Sequence, residues 1–187
     1  MDHFKNSILL LFVVALVASS CSPHKKLSSR SKISVKGSEN ATVSKNKSEQ
    51  VKTKYSALLN VEETQIENIP LYLLIDDWYG TRYKYGGCDK NGVDCSNFVS
   101  ILYQQVYNTP LKGSSASIFN QCKTINRTEL REGDLLFFKI DNNTISHIGM
   151  YLQNNKFVHS TTKKGVMIDD LDEPYYTKYY YKSGRLK

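Results

Sequence analysis

The chain has 187 residues, 40% of them hydrophobic, which suffices for one ordinary core and not for two large ones. Its net charge of +7 sits in one segment: residues 22–54 carry nine Lys and Arg against two Glu, whereas residues 55–187 carry fifteen charges of each sign. A folded part that is neutral overall argues against a nucleic-acid-binding domain, which would show a basic face, so no nucleic-acid partner is expected.

The first element is an export signal. Ile8 to Ala18 is a run of 11 apolar residues, short of the roughly 20 that span a bilayer but suited to a signal-peptide core. Residues 1–20 are assigned to it. The run ends in Val17-Ala-Ser-Ser-Cys21, which resembles the lipobox of bacterial lipoproteins, with Ala18 in place of the usual leucine. The resemblance implies a lipid on Cys21 and a membrane anchor in the cell envelope, facing periplasm or wall. The alternative is an ordinary signal cut near Ser20. Residues 22–54 are rich in Ser, Lys, Asn and Thr and nearly without aromatics. They read as a disordered basic tether that cannot bury enough surface to offset its ordering entropy. The ordered domain is accordingly set at 55–187.

Leu71, Leu74, Ile75 and Trp78 recur at helical spacing, so a helix is expected over 70–79, stopped by Gly80. A glycine-rich loop (Gly86, Gly87, Gly92) then leads into Asp94-Cys95-Ser96 and a second helix over 96–107, with Phe98, Ile101, Leu102 and Val106 on its stripe. A short helix is expected around 116–121. Beyond Gly133 the texture changes to strands: 134–140 as a buried run, then 145–152, 156–161, 166–168 and the tyrosine-rich stretch 176–186. Helices first and antiparallel strands second make an α+β fold.

Cys95 is the candidate nucleophile. At a helix start, unpaired N–H groups and the helix dipole favour a thiolate. Pairing strands 145–152 and 156–161 symmetrically about Gln153 sets His147 opposite His159 on one face, with Gly149 leaving room beside them. A thiol needs an imidazole to take its proton, and that imidazole needs a polar group to orient it. His147 as base and His159 as orienter meet both needs. Taken singly, a buried cysteine is ordinarily a small hydrophobe. A zinc site on Cys95, His147 and His159 is the competing use of these residues, but the spacings lack the close Cys pairs of structural zinc sites; no metal and no cofactor are expected. Cys88 and Cys122 remain, as a disulfide or as two separate thiols.

These residues resemble the NlpC-type cell-wall cysteine peptidases, a papain-like family. The resemblance covers about residues 70–187. It includes Trp78-Tyr-Gly-Thr-Arg-Tyr-Lys-Tyr-Gly-Gly87, Asp94-Cys-Ser96, Leu130-Arg-Glu-Gly-Asp-Leu-Leu-Phe-Phe138, His147-Ile-Gly-Met-Tyr151, Phe157-Val-His159 and Leu171-Asp-Glu-Pro-Tyr-Tyr176. It implies Cys95, His147 and His159 as a catalytic triad, Tyr83 beside the oxyanion, and Asp94 and Ser96 against the substrate; for Asp94 a helix cap is an equally good reading. It implies helices packed on an antiparallel sheet. The reaction implied is hydrolysis of a D-γ-glutamyl–diaminopimelate or diaminopimelate cross-link amide in peptidoglycan stem peptides, by a monomer. Asn97, where the family usually has glycine, is expected to crowd or reshape the pocket. The alternatives are a non-catalytic wall-binding lipoprotein and an acyltransferase that uses the same thioester.

Overall fold

The computed structural model describes residues 37–141 and 143–187. The signal peptide, Cys21 and the first part of the tether lie outside them.

For residues 37–54 the tether reading is corrected. Helix α1 (Gly37–Leu59) is 23 residues long. Val51, Tyr55 and Leu59, spaced four apart, are buried, and the Tyr55 ring lies 5.1 Å from that of Tyr72. Averaging composition over the whole polar segment hid this narrow stripe, which begins four residues before the expected domain start. Helix α2 (Ile69–Trp78) is capped by Asn68, whose side chain accepts the Leu71 N–H at 3.3 Å, and it ends at Gly80 with φ of 78°.

A two-rung hairpin, β1 (Cys88–Asp89) with β2 (Gly92–Val93), closes the glycine loop. It is too short to show as periodicity. Gly87 is required there, since a Cβ would lie 2.3 Å from the Gly92 carbonyl oxygen. Helix α3 (Cys95–Tyr107) follows, and its buried face is Cys95, Phe98, Val99, Leu102 and Tyr103. That is the i, i+3, i+4, i+7, i+8 pattern counted from Cys95. The expected stripe is therefore rotated: Ile101 and Val106 are only half-buried, and the cysteine heads the buried face.

The remaining elements are α4 (Ser115–Asn120), β3 (Cys122–Ile125), β4 (Leu135–Phe138), β5 (His147–Tyr151), β6 (Lys156–Thr161), β7 (Gly165–Asp170), α5 (Pro174–Tyr179) and β8 (Tyr180–Leu186). The strands form one antiparallel sheet in the order β3-β8-β4-β5-β6-β7. This is the expected α+β arrangement of helices on an antiparallel sheet. Leu135, Phe137, Ile148, Met150 and Val158 join the helices in the main core, while Leu136, Phe138, Phe157, Leu171 and Tyr176 form a second cluster. Covering on both faces explains why β4 reads as an unbroken apolar run. The tyrosine-rich stretch opens as α5, because Pro174 presets the first helical turn and Tyr176 is buried in the second cluster.

The β5–β6 hairpin differs from the expected register. Met150 pairs with Val158 and Tyr151 with Phe157. The turn is Asn154-Asn155, both at positive φ (48° and 59°), closed by the Lys156 N–H on the Gln153 carbonyl at 2.9 Å. Two left-handed residues make the type I′ turn that matches strand twist, and asparagine tolerates that region. The pairing thus moves by two residues, which keeps every side chain on its face; a shift of one would have inverted them all. Continued, this register sets Gly149 opposite His159 and His147 one diagonal step away. The room expected over Gly149 is taken by Phe157, 2.7 Å from where a Cβ would sit.

Asn154 also reaches outside the hairpin, its side-chain amide donating to the Leu59 carbonyl at 2.8 Å and so capping α1. We predict that a chain starting at Tyr55 unfolds at lower urea than one starting at Gly37, by about 2 kcal/mol, the worth of burying the Val51 side chain. Equal midpoints would show that the earlier turns of α1 add nothing.

Candidate active site

Asp94 is the hub at the start of α3. Its carboxylate accepts the Asn97 N–H at 2.7 Å, the Gly86 N–H at 2.9 Å, the Ser96 hydroxyl at 3.0 Å and the Asn97 side-chain amide at 3.2 Å. Asn97 also donates to the Gly87 carbonyl at 3.0 Å. The side chain expected to crowd the pocket is thus a clasp between the glycine loop and the helix. Asp94, Ser96 and Tyr83 line a cavity of about 570 Å³ together with Cys95.

Cys95 is buried, 6% exposed. Its sulfur lies 3.7 Å from the Ser115 hydroxyl. Burial pushes the thiol up from its ordinary value, and the Ser115 hydroxyl only partly offsets it. The expectation of a thiolate therefore fails for the resting site: the residue that starts the helix also starts its buried stripe, and desolvation outweighs the helix terminus.

His147 and His159 line a neighbouring cavity of about 280 Å³; Tyr83, Asp141 and Ser146 border both spaces. The diagonal placement brings His147 Nε2 to 2.7 Å from His159 Nδ1. Behind His159 stands Asp169, with Oδ2 2.9 Å from Nε2, and the Tyr176 hydroxyl donates to the same oxygen. Burial drives His147 well below the usual histidine range, and the adjacent His159 adds to the shift. Burial also lowers His159, although the Asp169 hydrogen bond opposes it. For Asp169, burial alone would raise the carboxyl, but the hydrogen bonds from His159 and Tyr176 hold it below the usual carboxylate range. Burial pushes Tyr83 up to about 12, so it stays a proton-bearing phenol. Thiol and imidazoles are thus neutral near pH 7. Cys95 and His147 share no hydrogen bond among the described residues; they open on adjoining cavities.

Ser115, Asp169 and Tyr176 are the site residues that sequence reasoning missed. Asp169 is reachable in principle: His159 pairs with Met167, and Asp169 lies two residues on, on the same face. That step needs a second hairpin register. Tyr176 lay within a stretch that carried the resemblance, but without a role. Cys88 and Cys122 are free thiols, one exposed and one buried. Among the described residues no group of three or more His, Cys, Asp or Glu is placed to hold a metal ion.

The fold is papain-like, with a cysteine at a buried helix start and two joined histidines on the sheet. The family model described as the NlpC/P60 family matches residues 80–185. A probable endopeptidase NlpC homolog of Haemophilus influenzae is 33% identical over 188 residues, covering 96% of this chain and 97% of that one. A murein DD-endopeptidase/murein LD-carboxypeptidase of Escherichia coli is 39% identical over 110 residues, 59% of this chain and 58% of its own length. Among solved structures, an NlpC/P60 family protein from Bacillus cereus superposes with a TM-score of 0.59 at 24% identity, over 64% of this chain and 40% of that chain. The NlpC/P60 domain of the peptidoglycan hydrolase SagA gives 0.55 at 20%, over 65% and 100%. The chain belongs to the NlpC/P60 family. It is an enzyme, a hydrolase of the cysteine-peptidase class.

Two histidines buried neutral bind fewer protons than their unfolded counterparts just below pH 6.5, so stability is full above that pH and falls as pH drops through it. The same neutral His147 is the form able to accept a proton. We expect thermal midpoints level above pH 6.5 and declining below it, with the acid limb of kcat/KM also lying below pH 6.5. An acid limb centred above 6.5 contradicts the depressed His147.

Proposed function

We propose that the chain is a peptidoglycan endopeptidase acting in the cell envelope, with Cys95 as nucleophile, His147 as general base and His159 as its orienter. The observation that carries this is the 2.7 Å bond between the two imidazoles, beside the cavity onto which the thiol opens. The murein and peptidoglycan endopeptidases among its relatives support the substrate class. As substrate enters, the thiol gives its proton to His147 while sulfur attacks the amide carbonyl. The oxyanion is met by the Cys95 backbone N–H and by Tyr83, whose raised pKa keeps the proton it donates. His147 then protonates the leaving amine, and water releases the thioester. The bond is an amide of the stem peptide, either D-γ-glutamyl–diaminopimelate or the diaminopimelate cross-link. Asp94 and Ser96 act chiefly by shaping the Cys95 end of the cleft, since their side chains bond to each other and to the loop.

Purified sacculi incubated with the chain should release stem-peptide fragments identifiable by mass spectrometry. Cys95→Ala should abolish release and Tyr83→Phe should slow it by about 10²-fold, as loss of one oxyanion donor does. Undiminished release by Cys95→Ala sinks the nucleophile, and transfer products with an added amine would make the enzyme an acyltransferase.

The small residues before Cys21 support lipidation there, which would hold the enzyme at a membrane within reach of the wall. Cells should incorporate labelled palmitate into the chain and not into Cys21→Ser; equal labelling of both removes the anchor.

A further inference from the structure

The roles proposed above use Cys95, His147 and His159 and leave Asp169 and Tyr176 without a purpose. Yet the Tyr176 side chain is buried, and only 13% of the Asp169 side chain is exposed. Burying a carboxylate is costly unless it is paired and hydrogen-bonded, and here both partners belong to the histidine line or its backing helix α5.

We propose that Asp169 is a positioning residue that sets the tautomer of both imidazoles and thereby makes Nδ1 of His147 the atom that takes the Cys95 proton. This deepens the peptidase reading and rests on it. The donors can run in only one direction. An ionised carboxylate accepts and never donates, so His159 carries its hydrogen on Nε2, 2.9 Å from Asp169. A neutral His159 then has a bare Nδ1, which must accept. Across 2.7 Å the donor is His147 Nε2. A neutral His147 with its hydrogen on Nε2 has its lone pair on Nδ1, which has no hydrogen-bond partner among the described residues. The opposite tautomer of either ring sets two lone pairs against each other somewhere along the line. Tyr176 secures the far end by donating to the same Oδ2 that faces His159. Glu173 and Lys164 are the other charged groups that act on this end, the first on His159 and the second on Asp169.

The proton ledger closes without a further reactant. As sulfur attacks, its S–H bond breaks and an N–H bond forms at His147 Nδ1. The positive charge on that ring is shared through the Nε2–H···Nδ1 bond with His159, next to the Asp169 carboxylate. When the C–N bond of the substrate breaks, its electron pair stays on nitrogen, and the Nδ1 proton moves to that nitrogen. His147 is left in its starting tautomer. A base this deeply buried is a poor place for an isolated cation, and the line places an anion behind it.

Long-range nitrogen–proton correlation spectra of the labelled full chain at pH 7.5 read the tautomers directly. Both histidines are expected with hydrogen on Nε2 and a bare Nδ1; hydrogen on Nδ1 of His147 overturns the proposal. Asp169→Asn removes the charge and lets the amide donate instead. It should mix the tautomers and lower kcat on a soluble cross-linked stem peptide on the order of 10²-fold, with KM within about twofold of wild type. Wild-type kcat with unchanged tautomers in that variant also overturns it. Tyr176→Phe, which keeps the carboxylate, should lose only several-fold in kcat and serves where Asp169→Asn does not fold; a loss as large as that of Cys95→Ala there would point to a structural role and count against the proposal. Activity retained by Cys95→Ala would instead defeat the peptidase reading, and the wild-type spectrum distinguishes the two failures because it requires no turnover.

Discussion

One constraint governs this site: a thiol and two imidazoles are buried close together, with a half-buried carboxylate behind them. Ionising any of these three carries a desolvation cost, so the resting arrangement keeps them neutral and sets the Asp169 carboxylate behind the histidines, where two donors hold it. A surface site of the same composition would titrate freely. A thiol is reactive chiefly as thiolate, so a neutral resting Cys95 is less reactive than an exposed thiol would be.

The fold supports that constraint from three directions. The buried stripe of α3 starts at Cys95, so the packing that stabilises the helix also buries the sulfur. The Asn154-Asn155 turn sets the β5–β6 register, and with it the diagonal that brings the two rings within 2.7 Å. Phe157 then fills the space over Gly149, and its ring lies tilted 4.6 Å from that of His159. The same turn caps α1 through Asn154, so the helix that follows the N-terminal segment is tied to the strands that carry the histidines. At the other end Asp94 and Asn97 lock the glycine loop to the start of α3, and Asn97 does so while also lining the cavity beside Cys95.

Much of this was legible in one dimension. Helical spacing located α2 and α3 to within a residue or two, and the unbroken run before Phe138 announced a strand covered on both sides. Alternation assigned His147 and His159 to one face, and that assignment survived a register error because the error was even. The misses share a cause. Val51 disappeared into a polar average, the two-residue strands beside Gly87 left no periodic trace, and Tyr176 and Tyr179 resembled the start of a strand although Pro174 begins a helical turn. In each case the deciding information was local chemistry or a partner far away in the chain.

The sequence by itself determined the kind of chemistry: a cysteine behind a capped helix start, two histidines on one sheet face, and a family of motifs in the right order. It did so because residue type, spacing and strand alternation are properties of the chain alone. Tertiary structure decided the protonation state of Cys95, the diagonal contact of the histidines, and the recruitment of Ser115, Asp169 and Tyr176. Those depend on burial and on which strands lie side by side. A residue's pKa and its hydrogen-bond partners are set by what is packed around it, and for Asp169 that includes a helix and a strand that no local pattern connects to His147.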